Sequence, residues 1–384
     1  MRIKSQGWLA VLGVLTAAGL LAQDMPLPGG SINIKFPANS PVLLAGAVTD
    51  QSRAMARGAA MVIDLRLALL LRNVGPKPIH GVTLRVVAQE VALGGKGSVA
   101  YPSLHVAPGE TFPARVEMEL MRPTQAVNGP LVEVGLDGVL FQDLSFYGDD
   151  RMDSRRIMTA WEMEAQRDRA HFKRVLAQSG SDGLRTAMLE SLSRQADRPR
   201  LDVRVVRGGP AVTSAANTAS ASGAVKFAFL QLPDSPITPT EGWAQVSGNE
   251  ARAPRIMVQN TSKRTVKYVE LGWLLNDRGG RRYLAASLPA SVPDLMLQPG
   301  QTARVGQDNA LVFSREGQPV NIQSIASFVS QVEFSDGQVW VPDRQSLQNA
   351  SLLGLVAPSA EEQRLADLYR KKGINALVEE LKKY

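Results

Sequence analysis

From Met61 to Leu71 the chain runs "MVIDLRLALLL". It then turns at Asn73 and resumes with apolar residues at Ile79, Val82, Leu84 and Val86, with Thr83 and Arg85 between them. Alternation at every second position is the signature of a strand with one buried face. The pattern returns later in the chain. "PRIMVQ" leads to Asn260, and Val266, Val269, Leu271 and Trp273 follow, with Glu270 and Gly272 in the intervening places. Asn73 matches Asn260, Ile79 matches Val266, Val82 matches Val269 and Leu84 matches Leu271, all at one constant spacing. The phrase is written twice, so the sequence predicts an internal duplication.

The turns repeat as well. "VAPGETFPARV" places Pro108-Gly109 before Thr111, and "LQPGQTARV" places Pro299-Gly300 before Thr302. Proline fixes φ at the first central position of a type II turn and glycine supplies positive φ at the second. Each copy closes with a further apolar run. Asp137-Gly138 and Asp336-Gly337 are expected as hairpin turns, with a small insertion in the first copy. Beyond them Tyr147 precedes Asp150-Arg151 much as Trp340 precedes Asp343-Arg344. Here an Asp-Arg pair is expected to end the last strand of each copy.

Short strands joined by Gly, Pro, Asn and Asp turns predict β-sandwiches. The pattern "N-x-G … V-x-L … PG-x-T … V" resembles bacterial extracytoplasmic immunoglobulin-like and fibronectin-like modules, including adhesion-related ones. That resemblance implies bodies that bind, space or scaffold more often than they catalyse.

Two further segments have helical spacing. In the first, 154–200, Ile157, Trp161, Ala165, Phe172 and Leu176 share a face and Ser154 is a candidate cap. In the second, 359–384, Ser359 can cap, Gly373 can interrupt, and Ile374, Leu377, Val378 and Leu381 share a face. Each helical hairpin is expected to pack on its own sandwich, the alternative being a docking face for a partner or a membrane surface. The expected fold class is therefore mainly β with α: two tandem immunoglobulin-like β-sandwiches, each followed by a helical hairpin. The expected division is signal peptide 1–22, sandwich 23–153, hairpin 154–200, strand and Ala/Ser linker 201–225, sandwich 226–358 and hairpin 359–384.

Composition narrows the setting. Arg2 and Lys4 precede the apolar run Trp8 to Leu21, and Ala22 offers a small residue for cleavage, the order of a secretory signal. Export to the periplasm or beyond is the expectation. The chain has no cysteine, which excludes disulfides, thiolate metal sites and a cysteine nucleophile. Its net charge of +7 comes without a basic stripe interleaved with aromatics. An envelope protein or cell-wall polysaccharide is the expected partner, and nucleic acid is not.

Candidate chemistry is sparse. His80, His105 and His171 do not stand at metal-ligand spacing and are expected to be packing or surface residues. Gly94 to Ser98, "GGKGS", lacks the phosphate-loop spacing. Arg151 interrupts the acidic group Asp149, Asp150 and Asp153, against a calcium loop. No cofactor is implied. The residues expected to be structural are Asn73, Asn260, Gly109, Gly300, Asp150, Arg151, Asp343 and Arg344. Those that could bind are Tyr268, Trp243, Trp340 and Trp161. By alternation Trp273 is core, whereas Tyr268 lies out of phase and is expected to be exposed. The sequence thus favours a non-catalytic exported binding or scaffolding protein. The alternative is a carbohydrate-binding module using aromatics of the second sandwich. A hydrolase would require two carboxylates converging in a cleft between the domains.

Overall fold

The computed structural model describes residues 25–27, 30–91, 94–124, 129–199, 201–206, 224–289, 295–306 and 310–384. The signal segment and nearly all of the Ala/Ser linker lie outside the described residues. The chain is mainly β, and its sheets form two bodies.

The first body contains β1 (Met25–Pro26), β2 (Ile32–Ile34), β3 (Val42–Val48), β4 (Arg53–Arg57), β5 (Ala60–Asn73), β6 (Ile79–Val87), β7 (Lys96–Tyr101), β8 (Thr111–Pro123), β9 (Val132–Phe141) and β10 (Phe146–Tyr147). One sheet runs β1-β4-β5-β3 with β8 along β5, and the other runs β10-β9-β6-β7 with β2 along β9. The alternation read from sequence sends Leu65, Leu67 and Val116 from the first sheet, and Val82, Leu84 and Val134 from the second, into one shared core. Period-2 burial makes the two sheets face each other.

The second body contains β11 (Asp202–Val206), β12 (Ala224–Lys226), β13 (Ala228–Phe229), β14 (Ile237–Ser247), β15 (Glu250–Asn260), β16 (Val266–Asp277), β17 (Arg282–Pro289), β18 (Thr302–Gly306), β19 (Ala310–Arg315), β20 (Gln318–Pro319), β21 (Ile322–Phe334) and β22 (Val339–Trp340). Its sheets are β11-β19-β15-β14-β12, with β18 on β15 and β20 on β19, and β13-β21-β16-β17, with β22 on β21. They too enclose a single core, including Ile256, Val258, Leu271 and Trp273. The strand in "RLDVRVVR" is β11, and it belongs to this body through β19.

The repeated phrase has a physical basis. The Asn73 side-chain amide donates to the carbonyls of Lys77 and Val106 at 2.9 and 3.0 Å, and its Oδ1 accepts from Gly75 N at 3.0 Å. Asn260 donates to the carbonyls of Arg264 and Leu297 at 2.8 and 2.9 Å and accepts from Ser262 N at 3.0 Å. Both asparagines are fully buried. Their carbonyls accept from Gly109 N and Gly300 N, both at 2.8 Å, and both glycines hold positive φ, 86° and 77°. One buried amide thus ties a strand end, a turn and the Pro-Gly corner together in each copy.

The Asp-Gly equivalence does not hold. Asp336-Gly337 turns between β21 and β22, with Phe334 N bonded to Gln338 O. The matching turn in the first body bonds Phe141 N to Ser145 O, and it is made by Asp143 and Leu144, the latter with φ 63°. Asp137-Gly138 instead lies inside β9, at a bulge in its register with β6. The spacing mismatch read as an insertion comes from having paired the wrong Asp.

The helices are α1 (Ser154–Asp197), α2 (Arg344–Asn349) and α3 (Ala360–Leu381). α1 breaks at Gly180 (φ 62°, ψ −164°) and α3 at Gly373 (φ 79°, ψ −176°). Arg364 and Glu380 are 16 residues apart, about 24 Å along a straight helix, yet their side chains meet at 2.6 Å. α3 therefore folds back on itself. In α1, Phe172 before the break and Leu184 and Met188 after it share one buried cluster. That cluster also holds Leu365, Leu377 and Leu381 of α3. The two hairpins spend much of their apolar faces on one another, where sequence reading placed each on its own sandwich. Two amphipathic stripes packed face to face remove both apolar faces from water at once.

Ser359 caps α3 as expected, accepting from Glu362 N at 3.0 Å. Ser154 does not cap α1. Asp153 holds the N-cap position in a left-handed conformation without a side-chain cap, and the Ser154 hydroxyl donates to buried Asp137.

Candidate functional site

The helical cluster places charged groups where apolar ones are the rule. On the first half of α1, Glu162, Ala165, Asp168, Arg169 and Phe172 follow helical spacing and all are buried. Buried charges persist only when they are paired and hydrogen-bonded. Arg344, at the start of α2, donates from Nη1 to Asp168 Oδ1 at 2.9 Å and from Nη2 to Glu362 Oε1 at 3.3 Å. Arg167 also grips Asp168, at 3.1 and 3.2 Å. Glu362 accepts further from Ser191 Oγ at 2.6 Å and Arg194 Nη2 at 2.8 Å. Burial alone would raise the Asp168 carboxyl, but the arginines hold it below the usual carboxylate range.

A second knot joins the same helices to the first body. Arg169 donates to Glu162, whose Oε1 lies 3.1 Å from His80 Nδ1. Glu361 takes two bonds from Arg364, at 2.8 and 2.9 Å. Burial would raise Glu361, yet Arg364 and His105 together bring it down to about 2. His105 is pushed down by burial despite Glu361 beside it. The His80 and His105 rings meet edge to face at 4.8 Å, and His105 meets Tyr384 likewise at 4.7 Å. His171 stands apart from this pair, against Phe172, and burial with Arg344 nearby lowers it to about 4.

Beside this network a cleft of about 700 Å³ separates α1 from the second body and the α2–α3 connection. Trp161, Glu164, Glu270, Ser330 and Gln331 line it. Tyr268 OH donates to Glu270 Oε2 at 3.1 Å. Among the described residues, the sealed atoms Ser330 Oγ and Gln331 Nε2 have no hydrogen-bond partner. Burial, with Asp168 and Glu270 adding to it against Arg167, raises the Glu164 carboxyl to about 7. A neighbouring basin of about 800 Å³ carries Arg281, Arg282 and Arg315. Arg281 and Arg282 are exposed on its rim, and Arg315 lies 3.8 Å from Glu316.

The binding aromatics named from sequence are not gathered in one place. Trp243 is 44% exposed on β14, in the sheet opposite Tyr268 and Trp340. Trp340 packs against the core. Tyr268 is only 2% exposed, contrary to expectation. It does point away from the core, but α1 covers that face and the Arg156 guanidinium stacks on its ring at 3.8 Å. Trp161 is the one of the four that lines the cleft. The Asp-Arg motifs also differ from expectation. Arg151 is exposed and pairs with Asp149, while Asp150 Oδ1 accepts from Arg155 N at 2.8 Å. Asp343 caps α2 through Ser346 N at 2.8 Å, freeing Arg344 for the buried network. Neither arginine pairs with the aspartate beside it.

Sequence reading missed Asp168, Glu361, Glu362 and Glu164. A signal existed in α1, where Glu162 and Arg169 fall in phase with apolar Ala165 and Phe172 on a stripe that should exclude charge. Among the described residues no group of histidine and carboxylate side chains is arranged to hold a metal ion. No helix there is long and apolar enough to cross a membrane.

No known family matches the chain, and no curated protein matches it. Among solved structures, a chain titled pT26-6p is similar at 9% identity over 88% of this chain and 73% of that one. Its TM-score is 0.16, too low for the likeness to carry an argument.

Proposed function

We propose that the protein is a non-catalytic scaffold or binding component exported to a bacterial envelope, built of two immunoglobulin-like sandwiches held as one frame. The observation that carries this reading is the joint between the bodies. Helices from both halves of the chain close a common apolar cluster and a buried ionic network. The first body reaches that joint through His80 and His105, and the second through Arg344. A frame of fixed geometry suits presenting surfaces to partners. The outer face of the first sheet offers one such surface, where Leu43 of β3 and Leu70 of β5 stand exposed.

The reading is tested by in-situ crosslinking of the tagged chain in envelope fractions, with peptide mapping of the crosslinks. Scaffolding predicts a stoichiometric partner whose crosslinks fall on this frame and disappear in a Leu43→Lys/Leu70→Lys variant. Recovery of the chain only as an uncrosslinked species, or only in the cytosolic fraction, sinks it.

A further inference from the structure

The duplication makes the cleft informative. In the first body β6 pairs Thr83 with Gly138 and then Leu84 with Leu136, so Asp137 is the extra residue of a bulge. In the second, β16 pairs Glu270 with Gln331 and then Leu271 with Val329, so Ser330 is the extra residue of the same bulge. The first-body bulge is occupied by its own chain. Asp137 Oδ1 accepts from Arg151 N at 3.0 Å, Oδ2 accepts from Met152 N at 3.2 Å, and the carboxylate takes the Ser154 hydroxyl. Gly138 has no room for a side chain, since a Cβ there would run into the Phe146 ring.

In the second body the three equivalent positions are the polar side chains Glu270, Ser330 and Gln331. They line the cleft in place of a helix start, because α2 is capped by Asp343 instead. Glu164 and Trp161 of α1 form the facing wall. The volume lies within the range of about 300–1,000 Å³ usual for small-molecule sites. Leaving a buried polar atom unpaired costs about 1–3 kcal/mol; Ser330 Oγ and Gln331 Nε2 are covered in this fold, and a side-chain rotation that brings them to a ligand in the cleft would recover that cost.

The chemistry of the walls selects among ligands. An ammonium or guanidinium group brings no acceptor for the Gln331 amide. Arg167 and Arg198 also line the cleft, but Arg167 is held by Asp168, and at the Ser330–Gln331 edge a carboxylate or phosphate would meet Glu270 and Glu164. A neutral hydroxyl both donates and accepts, satisfying amide, hydroxyl and carboxylate alike, and a ring bearing such hydroxyls on one edge and C–H groups on its face fits against an indole. We propose that this cleft is a saccharide-binding site, with Trp161 as the stacking wall and Glu270, Ser330, Gln331 and Glu164 as the hydrogen-bonding edge. The inference does not rest on the scaffold reading, and neither falls with the other.

The test is titration of the full chain with chitotetraose, maltotetraose and cellotetraose, followed by tryptophan fluorescence and saturation-transfer NMR. At least one sugar should bind saturably. Ser330→Ala, which removes the hydroxyl, and Gln331→Ala, which removes the amide with one methylene, should each weaken it by about tenfold, the size of one or two lost hydrogen bonds. Trp161→Ala should weaken it at least as much, with circular dichroism confirming the fold. Trp243→Ala, exposed on the opposite sheet, should leave affinity unchanged. Absence of binding across the panel overturns the proposal. So does a loss in Trp243→Ala matching that in Gln331→Ala, or displacement of the sugar by lysine or by a neutral peptide at equal concentration.

Discussion

Arg344 and Asp168 stand 176 residues apart in the chain and meet at 2.9 Å in the interior. Asp168 is wholly buried and Arg344 nearly so. Removing one partner leaves the other with a single counter-charge, Arg167 for Asp168 or Glu362 for Arg344. Arg344→Ala or Asp168→Ala should therefore cost about 1.5–3 kcal/mol, the size of a lost hydrogen bond between charged groups. Arg151→Ala, at the sequence-matched but exposed position, should change stability by less than about 1 kcal/mol. Denaturant unfolding of the three variants decides it. Equal costs at Arg344 and Arg151 would mean that the buried network carries no weight.

The two buried asparagines should behave as a matched pair. Asn73→Ala and Asn260→Ala each delete an amide that serves two carbonyls and one N–H. Each should cost about 2–4 kcal/mol. If the bodies unfold in separate steps, each substitution should lower the transition of its own body first. Calorimetry of the two variants reads this directly.

Glu361 should make the fold acid-sensitive. Its folded value of about 2 lies below the unfolded 4.5, so its contribution is present above pH 4.5 and is lost as pH falls toward 2. The difference corresponds to roughly 3 kcal/mol at most. His171 acts in a higher window. With a folded value of about 4 against an ordinary 6.5, it stays neutral in the fold, and stability falls as pH drops from 6.5 toward 4. Glu361→Gln should flatten the stability profile below pH 4.5, and His171→Gln should flatten it between pH 6.5 and 4.

Glu164 has the opposite sign. Its folded value of about 7 exceeds the unfolded 4.5, so the fold is favoured while the carboxyl is protonated and that advantage is lost as pH rises from 4.5 through 7. Glu164→Gln should stabilise the protein at pH 8 relative to wild type and have little effect at pH 4. Melting temperatures of both proteins across that range check the crossover. A wild-type advantage at pH 8 would show that Glu164 is not the destabilised acid.

Deleting residues 360–384 removes Leu365, Leu377 and Leu381 from the helical cluster and leaves Phe172, Leu184 and Met188 facing water. The shortened chain should bind a hydrophobic dye and aggregate, whereas a docking-only appendage would leave a well-behaved protein. Dye fluorescence and sedimentation distinguish the two.

The strands were legible because their information is local. Period-2 burial, the Asn turn and the Pro-Gly corner are each complete within a few residues, and they appear where the sequence placed them. Tyr268 shows where this ends. Alternation correctly gave its face, but whether that face meets water depends on the start of α1, whose Arg156 lies over a hundred residues earlier. The same holds for Arg344, which its sequence echo Arg151 suggested was ordinary. The charges at Glu162 and Arg169 broke the apolar stripe visibly, yet Arg169 meets Glu361 of α3, nearly two hundred residues later, and Glu162 meets His80 of the first body. Pairing at that distance leaves no local pattern to read.

The helical cluster draws on α1 and α3, with the entire second body between them in the chain. On emergence N-terminus first, α1 can form its hydrogen bonds early, but half of the surface it needs has yet to be made. Closing so long a loop is slow relative to forming local contacts. The joint should therefore form after both bodies have set. Until then the chain is two independent beads with an exposed sticky strap, and it is in that interval, more than in the finished frame, that it would need protection from its neighbours.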